Sequence, residues 1–365
     1  MKQISTLLTL LIFFSGCIQK HLSDKDSITY IDSLKINLDN HEIRVSLIDL
    51  AQEQGIRPYT LIYNNHLIVL NKANSFYSFS TDCFKRDLRF ETKLNSKSFK
   101  KAFIISDILY GIDSLNNVFK FDEIRCKWIE QLKELPFFNS APIYESDLYL
   151  CYSICHGEFG GLVFFYNKIN SKITFAPAQC AVSIMNYKNS FYIISNLAHM
   201  SGSTDIIRID NPDLLYILPD SLYKTEKLND LYNYRFIIDD TLISNKQIVT
   251  VYDEWDILIT SGFKIRDEKY FLTNMTYKDN WKTYMTKFDF DTDSLYVIRT
   301  PDTIFSKLPA SHGEITREMK KWTLIDYTLF AEDLTDWKES EDRNLLLTTF
   351  ILTDSTLIRI NWKNK

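Results

Sequence analysis

The chain has 365 residues, a formal net charge of −5 and no long run of Lys or Arg, so its linear sequence shows no sign of the concentrated basic face that nucleic-acid binding usually needs. Its length allows either two ordinary domains or one large all-β domain. With 25 Phe and 21 Tyr against nine Gly and eight Pro, the composition favours aromatic-rich strands joined by Asn, Asp and Ser turns.

Met1-Lys2 is a short positive segment, Leu7 to Phe14 an apolar run too short to span a bilayer, and Ser15-Gly16-Cys17 closes it. Phe14-Ser15-Gly16-Cys17 resembles the lipobox of bacterial lipoproteins, with Phe14 where that family usually carries Leu. The resemblance covers residues 1–17. It implies a signal peptide over 1–16, removed before Cys17, and lipid on the Cys17 thiol. Acyl chains there would anchor the protein at a membrane without spanning it. Residues 17–27 then form a lipidated, polar tether. Ile18, in place of Asp, implies the outer membrane by the same resemblance, and leaves the periplasmic or surface side open.

Residues 28–58 read as an N-terminal strand and helix segment. The helical spacing is in Ser46 to Gln54, where Leu47, Leu50 and Ala51 share a side before Gly55. From Tyr59 a rhythm begins. Leu67 to Ser80 aligns without gaps on Leu109 to Asp122, each being strand, polar turn and alternating strand. Leu88-Arg89-Phe90 and Lys127-Trp128-Ile129 read as the fourth strands of these units. Tyr149 to Asn170 aligns without gaps on Tyr192 to Asp213 at an offset of forty-three positions, matching His156 to His199. Tyr234 to Thr260 is a less regular unit, Lys269 to Thr300 a clear one, and Trp322 to Trp362 a strand-rich tail. Pro301 to Lys321 between them reads as coil or short helix.

Four-stranded units at a period near forty are the signature of a β-propeller, in which each blade buries its faces against its neighbours. Residues 59–365 accordingly predict an all-β propeller of about seven blades, with six or eight as alternatives and a pair of β-sandwiches as the competing architecture. Residues 28–38 are placed to add a strand to the last blade. The body resembles the low-identity propellers of secreted bacterial lipoproteins, although Trp255-Asp256 is the single WD dipeptide.

Candidate chemistry is sparse. A His-Gly-Glu triplet at His156 to Glu158 recurs at His312 to Glu314. With His199, these form a candidate loop site of imidazoles and carboxylates: His156, Glu158, His199, His312 and Glu314. No dense metal-ligand spacing supports it, and chance polar loops explain the pattern as readily. No cofactor or metal motif is found. Gly160-Gly161 reads as a tight turn, and no Gly-x-Ser-x-Gly elbow occurs. Acidic pairs such as Asp253-Glu254 read as solvated turns.

Beyond Cys17 there are five cysteines, at least one of them unpaired in an oxidising compartment. Cys83 and Cys126 occupy nearly matching unit positions, leaving a bridge between them open. Cys151 and Cys155 share strand parity but lie too far apart to bond. The reading adopted for all five is small, buried and apolar. Functionally, the sequence favours a lipid-anchored extracytoplasmic module binding a protein, peptide or glycan through blade loops. The alternatives are a glycan-active hydrolase or lyase using loop His, Glu or Asp, and a structural subunit of an envelope assembly.

Overall fold

The computed structural model describes residues 29–38, 41–52, 56–71, 73–131, 141–155, 160–197, 202–219, 245–266, 268–277, 280–299, 315–318, 322–329 and 346–364. Strands β1 (Thr29–Leu38) and β2 (His41–Gln52) come first. Blade 1 follows with β3 (Ile56–Tyr63), β4 (His66–Asn71), β5 (Phe76–Ser80) and helix α1 (Leu88–Leu94). Blade 2 holds β6 (Lys101–Ile105), β7 (Ile108–Ile112), β8 (Val118–Asp122) and β9 (Lys127–Glu130). Blade 3 holds β10 (Tyr144–Glu145), β11 (Tyr149–Cys155), β12 (Gly161–Asn167) and β13 (Ile173–Ala178). Blade 4 starts with β14 (Cys180–Tyr187), β15 (Ser190–Leu197) and β16 (Ser203–Ile209). The chain then returns to the edge of blade 3 through β17 (Tyr216–Ile217), and β18 (Ile248–Trp255) completes blade 4. Blade 5 is β19 (Ile257–Ile265), β20 (Glu268–Tyr277), β21 (Asn280–Asp289) and β22 (Ser294–Arg299). Blade 6 is β23 (Ile315–Glu318), β24 (Thr323–Leu329), β25 (Leu346–Leu352) and β26 (Thr356–Asn364), extended by β2 and then β1.

Six sheets are separated by six apolar cores, and the order of the cores shows that the ring closes. Blades 1 and 2 share Leu61, Phe76, Phe99 and Phe121. Blades 2 and 3 share Phe103, Ile112, Tyr152 and Phe164, and blades 3 and 4 share Tyr149, Phe165, Ile193 and Ile207. Met185, Ile194, Ile259 and Phe271 lie between blades 4 and 5. Phe263, Tyr270, Phe350 and Leu357 lie between blades 5 and 6. The last core joins blade 6 to blade 1 through Leu67, Val69, Ile351 and Trp362. Every sheet is therefore covered on both faces, which is the condition a propeller satisfies.

Blade 6 closes the ring with the start of the chain. β2 runs parallel to β26, from Arg44 opposite Thr356 to Gln52 opposite Asn364. Ile43 and Val45 face the core shared with blade 5, while Ile48 and Leu50 face the core shared with blade 1. This two-sided alternation overrides the helical spacing expected over Ser46 to Gln54, which is strand as far as Gln52. β1 does join the last blade, as its outermost strand paired to β2.

Three further expectations are corrected. The blades number six, not seven. The described part of the irregular unit expected over Tyr234 to Thr260 does not build a blade of its own, because Ile248–Trp255 pairs with β16 and Ile257 begins blade 5; Tyr234 to Ser244 lies outside the described residues. Leu88-Arg89-Phe90 opens a helix instead of a strand. The Asp87 carboxylate accepts the Phe90 N–H at 3.0 Å and caps it. The exposed edge of β5 is satisfied by that helix: Asn95 both accepts from the Phe76 N–H at 2.7 Å and donates to the Phe76 carbonyl at 2.8 Å. Lastly, Ile315–Glu318 is a strand within the stretch read as coil or helix.

Polar side chains stitch blades together at buried depth. Asp326 of β24 is fully buried. It accepts the Thr60 N–H at 3.0 Å, the Thr60 hydroxyl at 2.9 Å and the Thr349 hydroxyl at 2.7 Å, joining blade 6 to blade 1. Between blades 4 and 5, Asn196 donates to the Ile259 carbonyl at 3.0 Å and the Thr204 hydroxyl accepts the Ile259 N–H at 2.9 Å. Removing one partner of such a buried set costs more than the net value of its bonds. Asp326→Ala is therefore expected to lower stability by about 3 kcal/mol, measured as a shift in the urea midpoint at unchanged slope, with Asp326→Asn less damaging.

Candidate functional site

The first-to-second hairpins of blades 1, 2 and 4 are built alike. Asn64-Asn65, Ser106-Asp107 and Lys188-Asn189 each hold two successive residues at positive φ, between 47° and 68°. That is the two-residue hairpin turn whose twist matches the flanking strands, and Asn and Asp tolerate it well. Arg266 starts the corresponding turn of blade 5 at φ 55°. Because successive strands are antiparallel, these turns and the third-to-fourth hairpins lie on one face of the disc.

On that face the inner strands surround a cavity of about 540 Å³. Five blades line it: Tyr59 and Leu61 from blade 1, Phe103, Ile104, Ser106 and Asp107 from blade 2, Ala141 to Asp147 with Lys168 from blade 3, Lys264 and Arg266 from blade 5, and Trp322, Thr323 and Leu352 to Asp354 from blade 6. We call it the funnel. Its size is that of a small-molecule or peptide site. Its wall is braced across blades. The Glu145 carboxylate accepts the Ser106 N–H at 3.0 Å, the Ser106 hydroxyl at 2.8 Å and the Lys168 ammonium at 2.6 Å. On the other side the Arg266 N–H donates to Asp354 at 2.9 Å. Nearby, burial and then the Glu145 charge hold the Tyr110 hydroxyl above its ordinary pKa.

The far face carries a different feature. Cys155, at the end of β11, is disulfide-bonded to Cys180, at the start of β14, with Cα atoms 4.6 Å apart. This corrects the reading of all five cysteines as buried apolar fillers. Cys151 alone is buried, and Cys83 and Cys126 are half-buried free thiols rather than a bridged pair. The bridge links neighbouring blades, a pairing invisible to a comparison of positions within repeats. Gly160 takes φ 82° just ahead of β12, a conformation that favours glycine. Gly161 has a separate reason to be glycine: a Cβ there would collide with the backbone oxygens of Ile154 and Gln179.

Close to the same end of blade 4, the Asp205 carboxyl is pushed up to about 6. Burial is the main cause, Asp253 adds repulsion, and the Ser195 hydroxyl, donating at 2.8 Å, opposes the shift. Asp205 Oδ1 is buried without a hydrogen-bond partner.

The candidate residues His156, Glu158, His199, His312 and Glu314 lie outside the described residues, as does Cys17. The paired strand ends that flank two of these loops, Cys155 with Gly161 and Leu197 with Ser203, sit on the far face, away from the funnel. Among the described residues no group of three or more His, Cys, Asp or Glu is placed to hold a metal ion. Sequence reasoning missed the funnel residues. Their only linear signal was a charged or polar residue at the turn ending each inner strand, which is also how an ordinary solvated hairpin reads.

No family model matches the chain, and no curated protein matches it. Solved structures of similar outline include BamB from Moraxella catarrhalis, at 10% identity over 92% of this chain and 91% of that one, TM-score 0.31. Hydrazine synthase of Kuenenia stuttgartiensis is 9% identical over 91% and 80%, TM-score 0.38. Lignostilbene dioxygenase of Pseudomonas brassicacearum is 6% identical over 83% and 74%, TM-score 0.35. Scores this low carry no argument, and the fold rests on the closed ring of sheets.

Two outcomes are expected. Replacing Cys155 and Cys180 by Ala should cost about 3 kcal/mol in non-reducing urea, and reductant should abolish the difference. For Asp205 the folded carboxyl titrates higher than the unfolded one, so its contribution is favourable below the ordinary carboxylate range and is lost as pH rises through about 6. Asp205→Asn should therefore be more stable than the parent at pH 7.5, by up to about 3 kcal/mol. The gain should vanish near pH 4 in thermal melts.

Proposed function

We propose that the protein is a lipid-anchored, extracytoplasmic propeller that binds a partner molecule at the funnel. The funnel itself carries this reading: a cavity of about 540 Å³ framed by loops of five blades is where a propeller offers recognition residues on a rigid support. The anchor rests on the lipobox-like Phe14 to Cys17 and the polar tether behind it. The Cys155–Cys180 disulfide agrees with it, because such bonds form and persist in oxidising compartments outside the cytoplasm. The reading assigns attachment to lipid on Cys17; among the described residues no helix is long and apolar enough to cross a membrane. Ile18 after Cys17 favours the outer membrane.

The partner is a protein, a peptide or a glycan. Two measurements test the reading. Cys17→Ser should abolish acyl labelling and release the protein from the membrane fraction; unchanged fractionation would refute the anchor. Full-length protein extracted in detergent should retain a specific envelope component that Lys264→Glu with Arg266→Glu releases. Retention unaffected by that pair would remove the funnel as the binding site.

A further inference from the structure

Charge in the funnel is already matched by charge. Among the described residues its lining carries four carboxylates and three cations, and nearly all of them are engaged. The Lys168 ammonium lies 2.6 Å from Glu145, and Asp354 accepts the Arg266 backbone N–H at 2.9 Å. Asp107, Lys264 and Arg266 each have a further interaction of their own. An ionic ligand would have to part such groups or bury an extra charge beside them, and either step offsets the attraction it gains.

The Glu145–Lys168 pair is nonetheless open to the cavity, with 26% of the Glu145 side chain and 22% of the Lys168 side chain exposed. Among the described residues, the ammonium gives one of its three donors to Glu145, and Glu145 Oε2 accepts only a shared Ser106 N–H at 3.0 Å. Donors and a carboxylate lone pair therefore stand side by side. A hydroxyl is donor and acceptor in one atom, so two neighbouring hydroxyls serve carboxylate and ammonium together without parting them. A trans peptide unit points its N–H and C=O in opposite directions, a poorer match to partners 2.6 Å apart. Aromatic surface completes the lining. Tyr59, Tyr144 and Trp322, from blades 1, 3 and 6, are half-buried, and each packs against a different core between blades. Rings rooted in this way offer fixed apolar surface whose negative face suits the polarised C–H bonds of a sugar. We propose that the funnel binds a neutral oligosaccharide, with vicinal hydroxyls on the Glu145–Lys168 pair and sugar rings against the aromatic lining. The cavity of about 540 Å³ is of the size that holds such a small ligand.

This assignment deepens the funnel-binding reading and rests on it. The probe is an array of defined oligosaccharides, neutral, uronic-acid-bearing and amino-sugar-bearing, offered to the full-length protein in detergent. Neutral members should be retained about tenfold better than either charged class, and raising salt from about 0.05 to 0.5 M should leave their retention unchanged, because no ligand charge is being paired. Lys168→Gln should lower that retention about tenfold through the loss of a charge-assisted hydrogen bond. Trp322→Leu keeps apolar bulk against its core while removing the ring, and should cost a similar factor. Preference for a charged class, loss of binding in salt, or retention of no neutral glycan overturns the proposal. If no glycan is retained but a peptide or a folded envelope protein is, and Lys264→Glu with Arg266→Glu releases it, the ligand class is wrong while funnel binding stands. If neutral glycans are retained equally by the parent and by all of these variants, they bind elsewhere and both readings fall.

Discussion

Everything in this structure depends on the parallel ladder between β2 and β26. A propeller blade is apolar on both faces, so an open ring would expose two sheets' worth of core. Here blade 6 takes four strands from the end of the chain, and residues from the beginning add a fifth beside β26 that packs into both neighbouring cores. Val45 inserts beside Phe263 and Leu357 on one side, while Ile48 and Leu50 meet Val69 and Trp362 on the other. One strand thus belongs to two of the six cores. The side chain of Asn361 donates to Asp49 at 3.0 Å across 312 positions of sequence. Contacts of such separation form only after most of the chain has been ordered, so closure is intrinsically late and slow.

Once closed, the ring turns local chemistry into long-range position. A two-residue turn such as Ser106-Asp107 does no more than reverse one strand, yet its N–H and hydroxyl hold the Glu145 carboxylate of the next blade. The Asp326 cluster does the same at the seam between the last blade and the first. Each stitch selects one register between sheets, which apolar packing alone would leave looser, and at Asp326 it also replaces water on a buried carboxylate.

The architecture was legible because alternation survives in nearly every strand. Phe76 to Ser80 and Val118 to Asp122 read as the same element, and they are. The errors occur where a local pattern competes with a distant partner. Leu47, Leu50 and Ala51 have helical spacing, but β26 offers them a ladder. Leu88 to Phe90 has strand-like letters, but Asp87 caps a helix there and Asn95 supplies the missing edge bonds. The seventh blade came from counting Tyr234 to Thr260 as a unit of its own, when Ile248–Trp255 finishes blade 4 and Ile257 begins blade 5. The Cys155–Cys180 bridge and the funnel charges were illegible for a common reason: both are made between blades, and a repeat compared with itself reveals only what lies within one.

The direction of β1 has a consequence for geometry at a membrane. Leu38 pairs with His41 on the funnel face, whereas Thr29 pairs with Asp49, which in turn faces Asn361 near the far end of blade 6. The chain ahead of Thr29 therefore leaves from the far rim. Eleven residues separate Cys17 from Thr29, a leash of at most about 40 Å. On the lipid-anchored reading proposed above, the tether would meet the disc on its disulfide-bearing side. The mouth of the funnel lies on the opposite face.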